Sequence, residues 1–233
     1  MRFFRWFFCL WVMTACQSSG PANTEDARPV AVQPVLQMNE PVEEAMPVNT
    51  LDPLESIKDL DKQIESYHLG QDLSAEQLEE NTQLKKHIIR GTFDIEELCR
   101  LALAKHWAEI SAAEQKHFVD LMKRLLEKKA IFSKEQLKGE NKYYNIQYLR
   151  QDVDKQDSSR STVFTRMVIP KRSMDLDLTY KLVKKPQGWK IFDVIVDDAS
   201  LLSNYRFQFD RIIEKGGFAD LIKRMESKLT NIH

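Results

Sequence analysis

Residues 189–213, WKIFDVIVDDASLLSNYRFQFDRII, decide the fold. The stretch opens as a strand, with Phe192, Val194 and Val196 on one face and Trp189, Ile191 and Ile195 on the other, broken by Asp193. A strand apolar on both faces belongs in the interior of a sheet. Asp197-Asp198 turns the chain, and from Ala199 the period becomes helical, placing Leu201, Leu202, Tyr205, Phe209, Ile212 and Ile213 on one side. Gly216-Gly217 caps that helix, and Phe218, Leu221, Ile222, Met225 and Leu229 mark another. An apolar strand, a polar corner and an apolar helix form the wall of a core or of a pocket.

Upstream, three more segments carry the two-residue period of strands. Tyr144, Ile146 and Tyr148 alternate with polar neighbours, and Val163, Thr165, Met167 and Ile169 share one face of the next segment. Met174, Leu176, Leu178, Tyr180 and Leu182 then oppose Asp175, Asp177, Thr179 and Lys181, giving one dry face and one wet face. Short connections between successive strands imply an antiparallel meander.

Before Gly139 the period is helical. Leu54, Ile57, Leu60, Ile64 and Tyr67 predict a helix from about Pro53 to Leu69, ended by Gly70. Ser74 with Gln77 caps a second helix, which Gly91 should end. Asp94 with Glu97 starts a third, apolar around most of its girth from Ile95 to Trp107. Ser111 with Glu114 starts a fourth, with Phe118, Leu121, Met122, Leu125 and Leu126 in one stripe running toward Ile131-Phe132. The expected fold class is α+β: a four-stranded antiparallel meander packed against about six helices.

The first residues read as a targeting segment. Arg2 and Arg5 precede a short apolar run in residues 1–15, below the ~20 residues of a spanning helix. Met13-Thr14-Ala15-Cys16 resembles a bacterial lipobox, in which Cys16 would be acylated and become the first mature residue. Methionine stands where leucine is usual, and the alternative is a plain secretory signal cut near Ala15. Gln17 after the cysteine favours the outer membrane over the inner. Residues 16–50, with Pro21, Pro29, Pro34, Pro41 and Pro47 and no period, read as a disordered Pro-rich linker, and residues 51–233 as the folded domain. With Cys9 in the leader and Cys16 acylated, Cys99 has no disulfide partner and reads as a small buried filler.

The 34 Lys and Arg nearly balance the 35 Asp and Glu, so no basic excess points to nucleic acid. His68, His87, His106, His117 and His233 show no metal-ligand spacing, and neither a nucleophile elbow nor a glycine-rich phosphate loop occurs. Asp197-Asp198 reads first as the N-cap of the following helix, and Asp193 as a carboxylate that meets a backbone donor or a cation at a sheet end. Arg206 and Asp210, four apart, suggest a surface ion pair. Phe207 points away from the apolar stripe, as a tolerated exposed ring or a partner contact.

Three stretches in order, GTFDIEELCRLALAKHW, SAAEQKHFVDLMKRLLEKK and GWKIFDVIVDDASLLSNYRFQFDRIIEKGGFADLIKRM, resemble the MlaC, or toluene-tolerance, family. The resemblance rests on Phe93-Asp94, Ala102-Leu103, His106-Trp107, Glu114, Phe118, Leu125-Leu126, Trp189, Phe192-Asp193, Ser200-Leu201, Asn204-Tyr205-Arg206, Gln208-Phe209 and Gly217. Ala199 departs from the family's glycine, and Phe207 from its small or polar residue. The resemblance implies a periplasmic phospholipid carrier with an apolar cavity between sheet and helices. Its cargo would be a glycerophospholipid, with no other cofactor and no metal, and its partners an inner-membrane ABC transporter complex and an outer-membrane lipoprotein complex. The expected wall is Leu98, Leu101, Ala102, Met122, Leu126, Met167, Leu178, Phe192, Val194, Leu201 and Tyr205, with no catalytic residue. Two other readings stand beside it: an enzyme with Asp193 or Asp197 as a base, and an envelope scaffold lipoprotein that uses Phe207 as an interface.

Overall fold

The computed structural model describes residues 52–68, 72–128, 144–169 and 173–231. The leader, Cys16, the linker, Gly70, Ile131-Phe132, Gly139, the turn at 170–172 and His233 lie outside them. The described elements belong to one compact unit, residues 46–233.

Helix α1 (Pro53–Glu65) starts on Asp52, whose carboxylate accepts the Glu55 N–H at 2.9 Å, with Pro53 in the first turn. It buries Ile57, Leu60 and Ile64. Asn81 then exchanges two hydrogen bonds with the backbone of His68, fixing the exit of α1 against α2 (Ala75–Thr92). Ser74 and Gln77 close the expected capping box. Gly91 does not end α2, as the sequence suggested; the helix runs on to Thr92. The Gly91 carbonyl takes the Lys190 ammonium, and a glycine inside a helix costs only about 1 kcal/mol.

Phe93 then extends and forms a parallel bridge with Ile191, and the Asp94 N–H donates to the Ile191 carbonyl at 2.8 Å. Asp94 caps α3 (Ile95–Leu103) by accepting the Glu97 N–H. The single long helix expected here breaks at Ala104, whose φ is 48°, and continues as a 3₁₀ turn over Ala104–Glu109. Helix α4 (Ala112–Lys128) buries the expected stripe of Phe118, Leu121, Met122, Leu125 and Leu126.

The sheet has five strands rather than four, in the order β1 (Asn145–Val153), β2 (Arg160–Ile169), β3 (Met174–Lys185), β4 (Gly188–Val196) and β5 (Ala199–Ser200), each antiparallel to the next. Its register fixes the dry face. Val163 opposes Tyr180, which opposes Val194; Thr165 opposes Leu178, which opposes Val196; and Met167 opposes Leu176. On β2, every second residue from Ser161 to Ile169 is buried.

The alternation read from 189–213 fails at one place. Lys181 opposes Asp193 and Leu182 opposes Ile191, so Phe192 is the extra residue of a bulge. Ile191 therefore shares the dry face with Val194 and Val196, and the face assigned from the sequence is corrected. Helix α5 (Leu201–Asn231) follows, in two parts broken at Gly217, where φ is 77°. Five α-helices are therefore described, close to the expected number.

Candidate functional site

The corner between β4 and α5 is built differently from its sequence reading. Asp197 and Asp198 have φ of 44° and 67°, the conformation of a two-residue hairpin turn, and Val196 pairs with Ala199 across it. They turn the hairpin and do not cap the helix. The Asp197 backbone N–H donates to the Asp177 carbonyl, and its side chain accepts the Asp177 N–H, both at 3.0 Å. The helix begins at Leu201 because Ala199-Ser200 is held as strand.

The cap comes from Ser200 and Asp193. Ser200 Oγ accepts the Ser203 N–H at 2.9 Å and donates to Asp193 Oδ2 at 2.8 Å. Asp193 Oδ1 accepts the Leu202 N–H at 3.0 Å. At 2% exposure this carboxylate is desolvated, and the positive end of α5 with its free N–H groups is what stabilises its charge there. Asp193 thus meets the backbone donor that the sequence called for.

The first turns of α5 are then tied to α3. Arg206 donates from Nε and Nη2 to the Leu101 carbonyl at 3.0 and 2.9 Å, satisfying the end of the helix that Ala104 interrupts. Asp210 accepts from His106 Nε2 at 2.9 Å and pairs with Lys105 at 3.2 Å. The expected Arg206–Asp210 pair therefore does not form; both side chains reach across to α3 and its 3₁₀ extension. Burial lowers the His106 pKa, but hydrogen bonds to Glu109 and Asp210 outweigh it, and the imidazole lies above its ordinary value. Hydrogen bonds from His106 and Lys105 hold the Asp210 carboxyl below its ordinary range.

Of the eleven expected wall residues, eight are buried: Leu98 and Ala102 on α3, Met122 and Leu126 on α4, Met167, Leu178, Phe192 and Tyr205. Leu101, Val194 and Leu201 are half-buried. Met167, Leu178 and Val194 lie on one face of three adjacent strands. α3 packs on α4, α5 and β4, and α5 packs on α4 and β4, which brings the helical members and the β4 members into one neighbourhood. Tyr205 stacks on Phe209 with 5.4 Å between ring centres, and burial beside the Cys99 thiol pushes its hydroxyl above the ordinary tyrosine range. Phe192 stands apart because of the bulge: its ring lies 5.0 Å from the Arg160 guanidinium, which also bonds Glu97 at 2.6 Å.

A polar group that the sequence reading missed lies at α1. The Tyr148 hydroxyl donates to Asp61 at 2.7 Å, and Gln151 Oε1 accepts the Leu54 N–H at 2.8 Å. Tyr148 carried only an alternation signal, and nothing local connects it to a residue 87 positions away. Among the described residues no cluster of His, Cys, Asp and Glu is arranged to hold a metal, and no helix is long and apolar enough to cross a membrane.

The model of one protein family, the MlaC protein family, matches residues 60–227. Among solved structures, a phospholipid-binding protein from Ralstonia solanacearum, determined in complex with a phospholipid, is similar in fold with a TM-score of 0.61. The similarity covers 78% of this chain and 99% of that one at 18% identity. No curated protein sequence matches the chain significantly.

Proposed function

The chain belongs to the MlaC family, and from that premise we propose that it is a phospholipid carrier that holds acyl chains in an apolar cavity between sheet and helices. The observation that carries this reading is the family match, which spans α3, α4, the whole sheet and most of α5. The fold shared with a protein solved around a phospholipid supports it. The physical demand is severe: at ~0.8 kcal/mol per CH₂, two long acyl chains resist leaving a bilayer by on the order of 20 kcal/mol. A carrier must offer comparable dry surface. Leu98, Leu101, Ala102, Met122, Leu126, Met167, Leu178, Val194, Leu201 and Tyr205 are the proposed wall, and Phe192, set apart beside Arg160 by the bulge, is not among them.

The corner chemistry favours a carrier over an enzyme. Asp193, one of two candidate bases, has both oxygens engaged by the start of α5. Asp197, the other, is exposed and holds a hairpin turn. Within the same proposal the protein works in the periplasm, through a leader over residues 1–15 and an acylated Cys16 in the outer membrane, with residues 16–50 as the tether. It exchanges glycerophospholipid with an inner-membrane ABC transporter complex and an outer-membrane lipoprotein complex.

Extraction of the protein from a bacterial host into organic solvent, followed by mass spectrometry, should release stoichiometric phospholipid; a lipid-free protein refutes the carrier reading. Val194→Arg with Leu201→Arg should empty the site while circular dichroism stays native, because both positions are half-buried and a long side chain can reach solvent from them. Lipid retained at the wild-type level would refute the wall. Anchoring is read separately, from the mass of the mature protein against Cys16→Ser.

A further inference from the structure

Phe207 is 63% exposed, more than any other large apolar side chain among the described residues. Neither the core nor the proposed wall uses it. Successive turns of α5 set Ser203, Phe207, Arg211 and Lys215 along one ridge, and all four are exposed. The Arg211 guanidinium lies 5.5 Å from the centre of the Phe207 ring, so ring and charge share one place on the surface.

The charges of α5 are sorted by flank. Asp210 and Glu214 reach toward the 3₁₀ turn, where Lys105 lies 3.2 and 3.6 Å from them and His106 also bonds Asp210. Arg211 and Lys215 have no carboxylate partner among the described residues. The ridge is therefore one aromatic ring beside two cations that no acid pairs. The acidic corner at Asp197-Asp198 precedes the helix. Its first residue, Leu201, is about 15 Å along the axis from Arg211, beyond the ~8 Å over which exposed charges act at physiological salt.

We propose that this ridge docks the protein on a bilayer surface carrying anionic phospholipid, with Phe207 entering the interface and Arg211 and Lys215 meeting phosphate groups. A stable protein interface buries about 1,200 Å² or more around an apolar core, and a single ring between polar neighbours does not supply one. A bilayer asks for less. Its headgroup layer takes up an isolated ring without a shaped pocket, and each cation near an anionic leaflet strengthens binding about fivefold. Contact of this size is weak and reversible, as suits a protein that must leave the surface with its cargo. The choice of a bilayer rests on the carrier reading.

Phe207→Trp in the full chain tests it, because the substitution keeps an aromatic ring and adds a reporter. The four native tryptophans are common to parent and variant, so difference emission reads position 207 alone. The probes are vesicles with brominated acyl chains, made either of phosphatidylcholine alone or of three parts phosphatidylcholine to one part phosphatidylglycerol. On the anionic vesicles the difference emission should shift to the blue and be quenched, and on phosphatidylcholine alone the quenching should be at least about tenfold smaller. Arg211→Glu with Lys215→Glu, added to Phe207→Trp, should lower quenching on the anionic vesicles at least about tenfold with unchanged circular dichroism. Equal quenching on the two vesicles, or quenching that survives the double reversal, would overturn the proposal. So would an unquenched position 207, which would leave the ridge to a partner protein. Phe207→Ser should retain co-extracted phospholipid at the wild-type level, since the ring lies outside the proposed wall. A wild type that carries no lipid would sink the carrier reading, and vesicle quenching would still decide whether the ridge docks.

Discussion

Helix α5 meets its two helical neighbours by opposite means. Toward α4 the contact is aromatic: the Phe118 ring stands edge-on to Phe209 at 5.4 Å between centres and 83° between planes, and reaches Phe218 at 6.0 Å. Toward α3 and its 3₁₀ extension the contact is polar at its rim, made by Arg206 with the Leu101 carbonyl and by His106 with Asp210. The aromatic side contributes through ring burial, which is worth several kcal/mol. The polar side supplies register. It fixes which turn of α5 lies beside the break at Ala104, and so where Leu201 and Tyr205 stand relative to Leu98 and Ala102.

The difference can be broken most severely on the aromatic side. Phe118→Ala empties a fully buried position and should cost about 3–5 kcal/mol in denaturant unfolding. A loss below about 1 kcal/mol would mean that the cluster collapses around the gap or was never tight.

Asp193→Ala should rank second. It strands the Leu202 N–H and the Ser200 hydroxyl at a buried helix start, for about 3 kcal/mol. Asp197→Ala, at the exposed turn, should cost less by urea midpoint; equal losses would restore Asp197 as a principal support of the corner.

On the polar side, Arg206→Ala removes two bonds to one carbonyl and should cost about 1 kcal/mol.

The seam should also respond to pH. The His106 pKa is raised above 6.5, so the stability that protonated His106 contributes is full below that value and fades as pH rises through its folded pKa. The Asp210 pKa is lowered below 3.8, so its contribution is present above that value and is lost as pH falls through its folded pKa. The seam is strongest between these two limits. Wild-type Tm should fall on going from about pH 6 to about pH 8.5, and His106→Gln should flatten that slope. Identical slopes would remove His106 from the seam.

The smallest effect belongs to Phe207. It is 63% exposed with the Arg211 guanidinium 5.5 Å from its ring, and Phe207→Ser should change stability by no more than about 0.5 kcal/mol.

Legibility in the sequence followed the range of the interaction. Ser74 with Gln77, Asp94 with Glu97 and Ser111 with Glu114 were readable because an N-cap closes within one turn. The dry side of β2 was readable because its alternation runs unbroken. Arg206 was misread because i,i+4 spacing permits a pair with Asp210 but does not reveal a competing carbonyl 105 residues away. Asp197-Asp198 was misread because aspartate suits both a helix cap and a left-handed turn, and only the pairing of Val196 with Ala199 chooses between them.

The stretch at 189–213 divides the two kinds of information. By itself the sequence determined that an apolar strand, an acidic corner and an amphipathic helix follow one another, because side-chain period and turn chemistry are local. Tertiary structure alone decided that Phe192 is a bulge residue, that Ile191 turns to the dry face, and that Asp193 rather than Asp197 holds the start of α5. A bulge exists only against a partner strand, and a buried carboxylate is satisfied only by donors that folding brings to it.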